Sequence, residues 1–270
     1  SGTSFVAGTA KSFTVNPKAL DIAITKVYDG NNTFTNAHSY TITGMVNSQA
    51  APTITSGSAT ISTVNVTASP VTSFSTNSFA LSDSNYTLTG GTVSANITQL
   101  SSVTYTGATG GLWSAGSNWT VTGGATTGAT PTLGNVATVV IPNGSSVTYS
   151  DAMSGLAPTS ATSITNNGAI NFTNTAAVTI PSAISGAGYV TLSGSAAVVL
   201  GGANTYSGAT TVNSGAILKV GGTSALSNSS TYVIDGTLDL AGYSVAAGSI
   251  SGASSGLITS TAAGTPVVTM

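Results

Sequence analysis

Ser214-Gly215-Ala216-Ile217-Leu218-Lys219-Val220 is a tight turn followed by a short apolar strand, and its pattern recurs through the second half of the chain. Related stretches are Asn167-Gly168-Ala169-Ile170-Asn171-Phe172 and Ser195-Ala196-Ala197-Val198-Val199-Leu200. Asp235-Gly236-Thr237-Leu238-Asp239-Leu240 and Ser255-Gly256-Leu257-Ile258-Thr259 follow them. With Ile170, Val198, Ile217, Leu238 and Leu257 taken as equivalent, the steps are 28, 19, 21 and 19 residues. The first step leaves room for an insertion. A period of about 20 residues, with one turn and one apolar strand per unit, predicts a β-solenoid. Each coil then buries its inward Val, Ile and Leu against the coils above and below.

Upstream of Leu100 the style changes. Period-two alternation appears in Ser39-Tyr40-Thr41-Ile42-Thr43, Ala59-Thr60-Ile61-Ser62 and Val93-Ser94-Ala95-Asn96-Ile97, with irregular spacing, as in a small sandwich. Gly, Pro, Asn and Ser bound each run. Strong helix formers are scarce, so the whole chain reads as all-β. Gly8-Thr9-Ala10-Lys11-Ser12-Phe13-Thr14-Val15 is similar to Gly91-Thr92-Val93-Ser94-Ala95-Asn96-Ile97-Thr98. Residues 1–16 are therefore expected to be a linker or the closing strand of a preceding module. A β module over 17–100 and a solenoid over 101–270 follow.

Only 4% of the 270 residues are charged, as four Lys and six Asp with no Arg or Glu, against about 25% in an average soluble domain. The hydrophobic fraction is 40% and the net charge -2, a balance that favours a packed core over disorder. Four scattered Lys cannot form the basic stripe that neutralises phosphates, which argues against nucleic acid. The same shortage argues against an anionic membrane surface, and no apolar run is long enough to span a bilayer as a helix. With no Cys there is neither a disulfide nor a thiolate metal site. The chain opens at Ser1-Gly2-Thr3, without an initiator Met or signal-peptide pattern. It is expected to be processed or excerpted from something longer.

Three stretches resemble known families. Thr25-Lys26-Val27-Tyr28-Asp29-Gly30-Asn31-Asn32-Thr33, with Asp83-Ser84-Asn85-Tyr86-Thr87-Leu88 downstream, resembles the YDG module of filamentous-haemagglutinin-like bacterial exoproteins. Asn16-Pro17-Lys18-Ala19-Leu20 is similar to the linker joining such modules. Residues 202–218, containing Asn204-Thr205-Tyr206-Ser207-Gly208, resemble the passenger-associated repeat of autotransporter passengers. Leu112-Trp113-Ser114-Ala115-Gly116-Ser117-Asn118-Trp119, with Val140-Ile141-Pro142-Asn143-Gly144, is similar to the segment that often opens such β-helices. The resemblance implies an Ig-like or β-grasp-like module leading into a right-handed parallel β-helix, displayed on a Gram-negative surface. It implies no catalytic residue and no cofactor, and the export route stays open.

The residues themselves offer little chemistry. His38 is the single histidine, in Asn36-Ala37-His38-Ser39, and no G-x-S-x-G elbow supplies it with a nucleophile; it reads as an exposed turn residue. Asp235 and Asp239 are the nearest thing to paired carboxylates. Their setting suggests one turn residue and one outward strand residue. Asp83-Ser84-Asn85 reads as a turn rather than a Ca²⁺ site. Trp113 and Trp119 stand six apart; exposed, they would stack on a sugar, and buried, they would cap the open end of the solenoid, the favoured reading. Pro266, Val267 and Val268 form an apolar carboxyl segment able to add a strand to another copy.

Taken together, the sequence predicts a non-enzymatic stalk or adhesin segment, with self-assembling filament subunit as the alternative and carbohydrate-binding module as the third reading. Expected partners are host or matrix glycans and proteins, or copies of the chain itself. No metal or cofactor is expected.

Overall fold

A computed structural model describes residues 16–76, 78–122, 134–150 and 163–270; most of the expected leading segment, residues 1–16, lies outside them. Among the described residues regular structure is β-strand throughout, apart from the single 3-10 turn Gly116–Asn118. The chain divides into two compact units. One holds Asn32–Thr63 and Thr67–Asn96 with the chain up to Lys26; the other holds Val27–Asn31, Val64–Val66 and Ile97–Met270.

In the first unit, Asp21–Val27 runs antiparallel to Ser39–Thr43, pairing Ile22 with Ile42 and Ile24 with Tyr40. Val93–Thr98 lies on its other side. Short antiparallel pairs, Thr33–Thr35 with Ser58–Thr60 and Ile54–Ser56 with Ala80–Leu81, accompany this sheet. The pleat sends alternate side chains inward, so Ile22 and Ile24 are buried, and so is Lys26, two positions on. A buried ammonium needs partners. Lys26 Nζ donates to Thr33 O at 3.1 Å and lies 5.5 Å from the Phe34 ring centre, within cation–π range. In Val27–Asn31, which belongs to the second unit, Asp29 Oδ1 accepts the Asn31 N–H at 3.0 Å and Gly30 takes φ +78°, the turn chemistry that Tyr-Asp-Gly suggests.

The second unit is built on three sheets of mainly parallel strands. One is ordered Trp119–Thr122, Ser102–Tyr105, Thr138–Ile141, Ser163–Asn166 and Ala183–Ser185. A second runs from Gly111–Leu112 and Ser146–Tyr149 through Ala169–Phe172 and Tyr189–Leu192 to Thr210–Val212, Thr231–Ile234 and Ser249–Ser251. The third holds Val178–Ile180, Ala197–Leu200, Ile217–Val220, Thr237–Asp239 and Leu257–Thr259. Between residues 163 and 200 the chain visits the sheets in rotation: first, second, third, then first again. Later it alternates between the second and the third.

Between the strands of these sheets from residue 163 onward, paired residues lie 18 to 22 positions apart, whereas the earlier parallel pairs are 23 to 36 apart. In the third sheet Val178, Val198, Leu218, Leu238 and Ile258 form one column of directly paired residues. In the second, Ile170 faces Val190, which faces Thr210, then Tyr232 and Ile250. The expected equivalence of Ile170, Val198, Ile217, Leu238 and Leu257 is thereby corrected. Ile170 belongs to a different sheet from the other four, which accounts for the long first step. Ile217 and Leu257 each sit one residue before the true column. A one-residue slip turns a side chain to the opposite face. Accordingly Leu218 is fully buried and Ile217 only partly, whereas on the outermost strand Leu257 and Ile258 are 52% and 46% exposed.

Glycine marks the points where neighbouring segments come closest. A Cβ on Gly188 would stand 2.4 Å from Gly168 O, and one on Gly208 would stand 2.2 Å from Gly188 O. These three glycines, again 20 apart, make a column with no room for a side chain.

Candidate functional site

Trp113 and Trp119 are the pair singled out for carbohydrate contact, and both are buried, at 1% and 2% exposure. Trp119 begins a strand that runs antiparallel to Ser102–Tyr105 and forms the edge of the first sheet. Its indole Nε1–H donates to Trp113 O at 2.9 Å. The two rings meet edge-on with centres 4.9 Å apart, and Trp119 does the same with Tyr105 at 5.2 Å. Trp113 continues to Tyr149, and Tyr149 to Phe172, at 5.5 and 5.4 Å. A continuous aromatic stack therefore fills the interior where the parallel sheets begin. Of the two readings, sugar stacking needs an open ring face, and both indoles are buried against other rings.

Asp239 also departs from expectation. It is 4% exposed rather than outward-facing. Its Oδ1 accepts N–H bonds from Ala241 and Thr261, each at 2.9 Å, and its Oδ2 accepts the Thr261 hydroxyl at 2.7 Å. Lys219 Nζ stands 3.4 Å from Oδ2. Burial alone would raise the carboxyl's pKa; the Thr261 and Ala241 bonds and the Lys219 charge together outweigh it and hold the group below its ordinary value. Asp235 is the turn residue expected of it, accepting the Ala253 N–H at 2.7 Å. Both carboxylates are thus occupied with backbone.

His38 closes the turn between Thr33–Thr35 and Ser39–Thr43. Its Nδ1 accepts the Thr35 N–H at 2.9 Å, and its ring meets Phe34 edge-on at 5.8 Å. Asp83 accepts the Asn85 N–H at 2.9 Å, an Asx turn. Among the described residues no three His or Asp side chains gather where they could hold a metal ion.

The stretch over residues 202–218 and its neighbours are built around buried polar side chains. Asn204 Oδ1 accepts Ile184 N–H at 2.8 Å, and its Nδ2 donates to Ala225 O at 2.6 Å, so one amide ties three successive turns of chain. Two residues on, the fully buried Tyr206 hydroxyl shares a hydrogen bond of 2.6 Å with Thr210 Oγ1. Ser227 Oγ donates to Tyr206 O at 2.7 Å, and the Tyr232 hydroxyl accepts Ser227 N–H at 2.7 Å. Desolvation drives both phenol pKa values up. The partners Thr210, Ser227 and Tyr232 carry no signal in a sequence so rich in hydroxyls.

At the carboxyl end, Val268–Thr269 pairs parallel with Val245–Ala246. Val245 N–H donates to Val267 O at 2.9 Å, and Val267 itself is 59% exposed. The proposed assembly strand of Pro266, Val267 and Val268 thus includes a residue that already belongs to a sheet, with its outer edge unpaired among the described residues.

No protein-family model, curated protein or solved structure matches this chain significantly.

Proposed function

We propose that the chain is a structural stalk or adhesin segment of an extracellular bacterial surface protein, in which residues 101–270 form a right-handed parallel β-helix. The observation that carries this reading is the register of the parallel strands from residue 163 onward, close to 20 residues per step, with a buried aliphatic column from Val178 to Leu238. Ladders repeated in this way resist bending, because each turn of chain is hydrogen-bonded to the next. A chain with so few charges interacts at short range and with little dependence on salt. The resemblance to exoprotein and autotransporter segments supports display on a Gram-negative surface and contact with host or matrix polymers.

Electron microscopy of the purified segment across a concentration series, with light scattering, tests the reading. Single rods at every concentration are the expected result. Regular head-to-tail fibres would replace it with the second reading, a self-assembling filament subunit. That second reading is favoured by one observation: the outer strand Leu257–Thr259 presents Leu257 and Ile258 at 52% and 46% exposure. Such an edge can template another strand.

A further inference from the structure

A groove of about 280 Å³ opens on the second unit where residues 203–205 and 223–228 lie side by side. We propose that it binds a neutral saccharide. The proposal deepens the reading of this chain as a displayed adhesin segment by naming the ligand chemistry.

The groove is lined by three exposed hydroxyl side chains, Thr205, Thr223 and Ser224, which make no side-chain hydrogen bond among the described residues. A hydroxyl both donates and accepts, which matches the hydroxyls of a sugar. Leu226, 4% exposed, and the exposed Ala203 and Ala246 supply apolar lining, suited to the C–H face of a pyranose ring. No charged residue lines the groove, so it offers nothing to select a uronate, a phosphate or an ammonium.

The frame is rigid before any ligand arrives. Asn204 N–H donates to Ser224 O at 3.0 Å and Thr205 N–H to Ile184 O at 2.9 Å. The buried Asn204 amide adds its bonds to Ile184 and Ala225. Preorganised walls reduce the ordering cost of binding. Because these backbone groups are already engaged, they are not open to an extended peptide, which would need them; the free side-chain hydroxyls are. At about 280 Å³ the groove sits just under the roughly 300 Å³ at which small-molecule pockets start, so it engages a single sugar unit at a time. With no aromatic ring in the lining, the dissociation constant is expected near ~1 mM.

The test is a titration of isotopically labelled protein, followed by amide NMR. The probes are maltoheptaose, cellohexaose, mannohexaose and N-acetylchitohexaose, with oligogalacturonate as the anionic comparison and a threonine-rich peptide as the extended-strand comparison. At least one neutral oligosaccharide is expected to shift amides of residues 203–205 and 223–228, with little change on adding salt. The variant Thr223→Val/Ser224→Ala removes two exposed, unbonded hydroxyls, so its thermal midpoint should match the parent. Its affinity should fall about fivefold to tenfold for each hydroxyl bond lost. The proposal is overturned if no neutral probe shifts these amides at ~10 mM, if the variant binds equally well, or if oligogalacturonate or the peptide binds better. Microscopy of the same sample separates the two claims. Rods without saccharide binding sink the groove alone, whereas antibody labelling that finds the parent protein only inside intact cells sinks the surface-display reading alone.

Discussion

Lys219 lies directly opposite Asp239 on adjacent parallel strands, and its ammonium reaches the carboxylate at 3.4 Å. The lysine head is 37% exposed and the aspartate 5%. The pair is lopsided: the buried member depends on its other partners, and the exposed member contributes a solvent-screened charge.

Asp239→Ala is expected to destabilise the second unit by about 3 kcal/mol, because it strands the Ala241 and Thr261 N–H groups. Lys219→Ala should cost less than ~1 kcal/mol. Because the folded carboxyl titrates below its unfolded value of 3.8, its stabilisation is complete above that value. It is lost as pH falls through the lower folded one. Denaturant titrations between pH 2 and 6 should show that loss in the parent and not in Asp239→Asn. An unchanged acid limb would remove Asp239 as its source.

The buried phenols predict the opposite limb. Desolvation pushes Tyr149 up to about 12, and Tyr206 and Tyr232 are raised as well. Their contribution is therefore whole below an unfolded value of 10.0 and disappears as pH climbs through the folded values. Circular dichroism should show stability falling above pH ~10. Tyr232→Phe should soften that fall while costing about 1–3 kcal/mol at neutral pH, since Ser227 N–H loses its acceptor.

Gly208→Ala places a methyl 2.2 Å from Gly188 O, and a loss of about 2–3 kcal/mol is expected. Gly215→Ala is the control. That glycine has φ +84° and nothing within 4 Å, so it should lose only the ~1–2 kcal/mol of a left-handed alanine. Equal thermal shifts for the two variants would mean that close approach is not what excludes side chains from the column.

Tryptophan fluorescence checks the aromatic stack. Emission should be blue-shifted and poorly quenched by acrylamide, and none of the oligosaccharides should alter it. Trp119→Ala is expected to lose about 3–5 kcal/mol. Ready quenching in the folded protein would return the indoles to the surface.

All-β character and the near-20 period were legible because both rest on composition and spacing. Register was not. Ile217-Leu218 and Leu257-Ile258 each place two large aliphatic residues side by side, so hydrophobicity cannot say which faces inward. The ladder puts the second of each pair in the column, and Leu218 is buried there, whereas Ile258 on the outermost strand stays 46% exposed. Alternation misplaced Asp239 for a related reason: the strand ends there, and Leu238, Asp239 and Leu240 are all buried. The inward Lys26 was hidden as well, since only the fold supplies Thr33 O and the Phe34 ring. At the Trp pair, sequence preferred capping to sugar contact, but the run of rings from Tyr105 to Phe172 depends on residues far apart in the chain.

The column from Val178 to Ile258 has a genetic consequence. Where Val198 faces Leu218 and Leu218 faces Leu238, each surface presented upward resembles the one presented downward. Excising the 20 residues between two such positions would bring matching surfaces together and shorten the sheets by one strand spacing, about 4.8 Å. Loss or gain of such a 20-residue unit would therefore leave later side chains on their own faces, whereas an odd-length deletion within a strand would turn those beyond it to the opposite face.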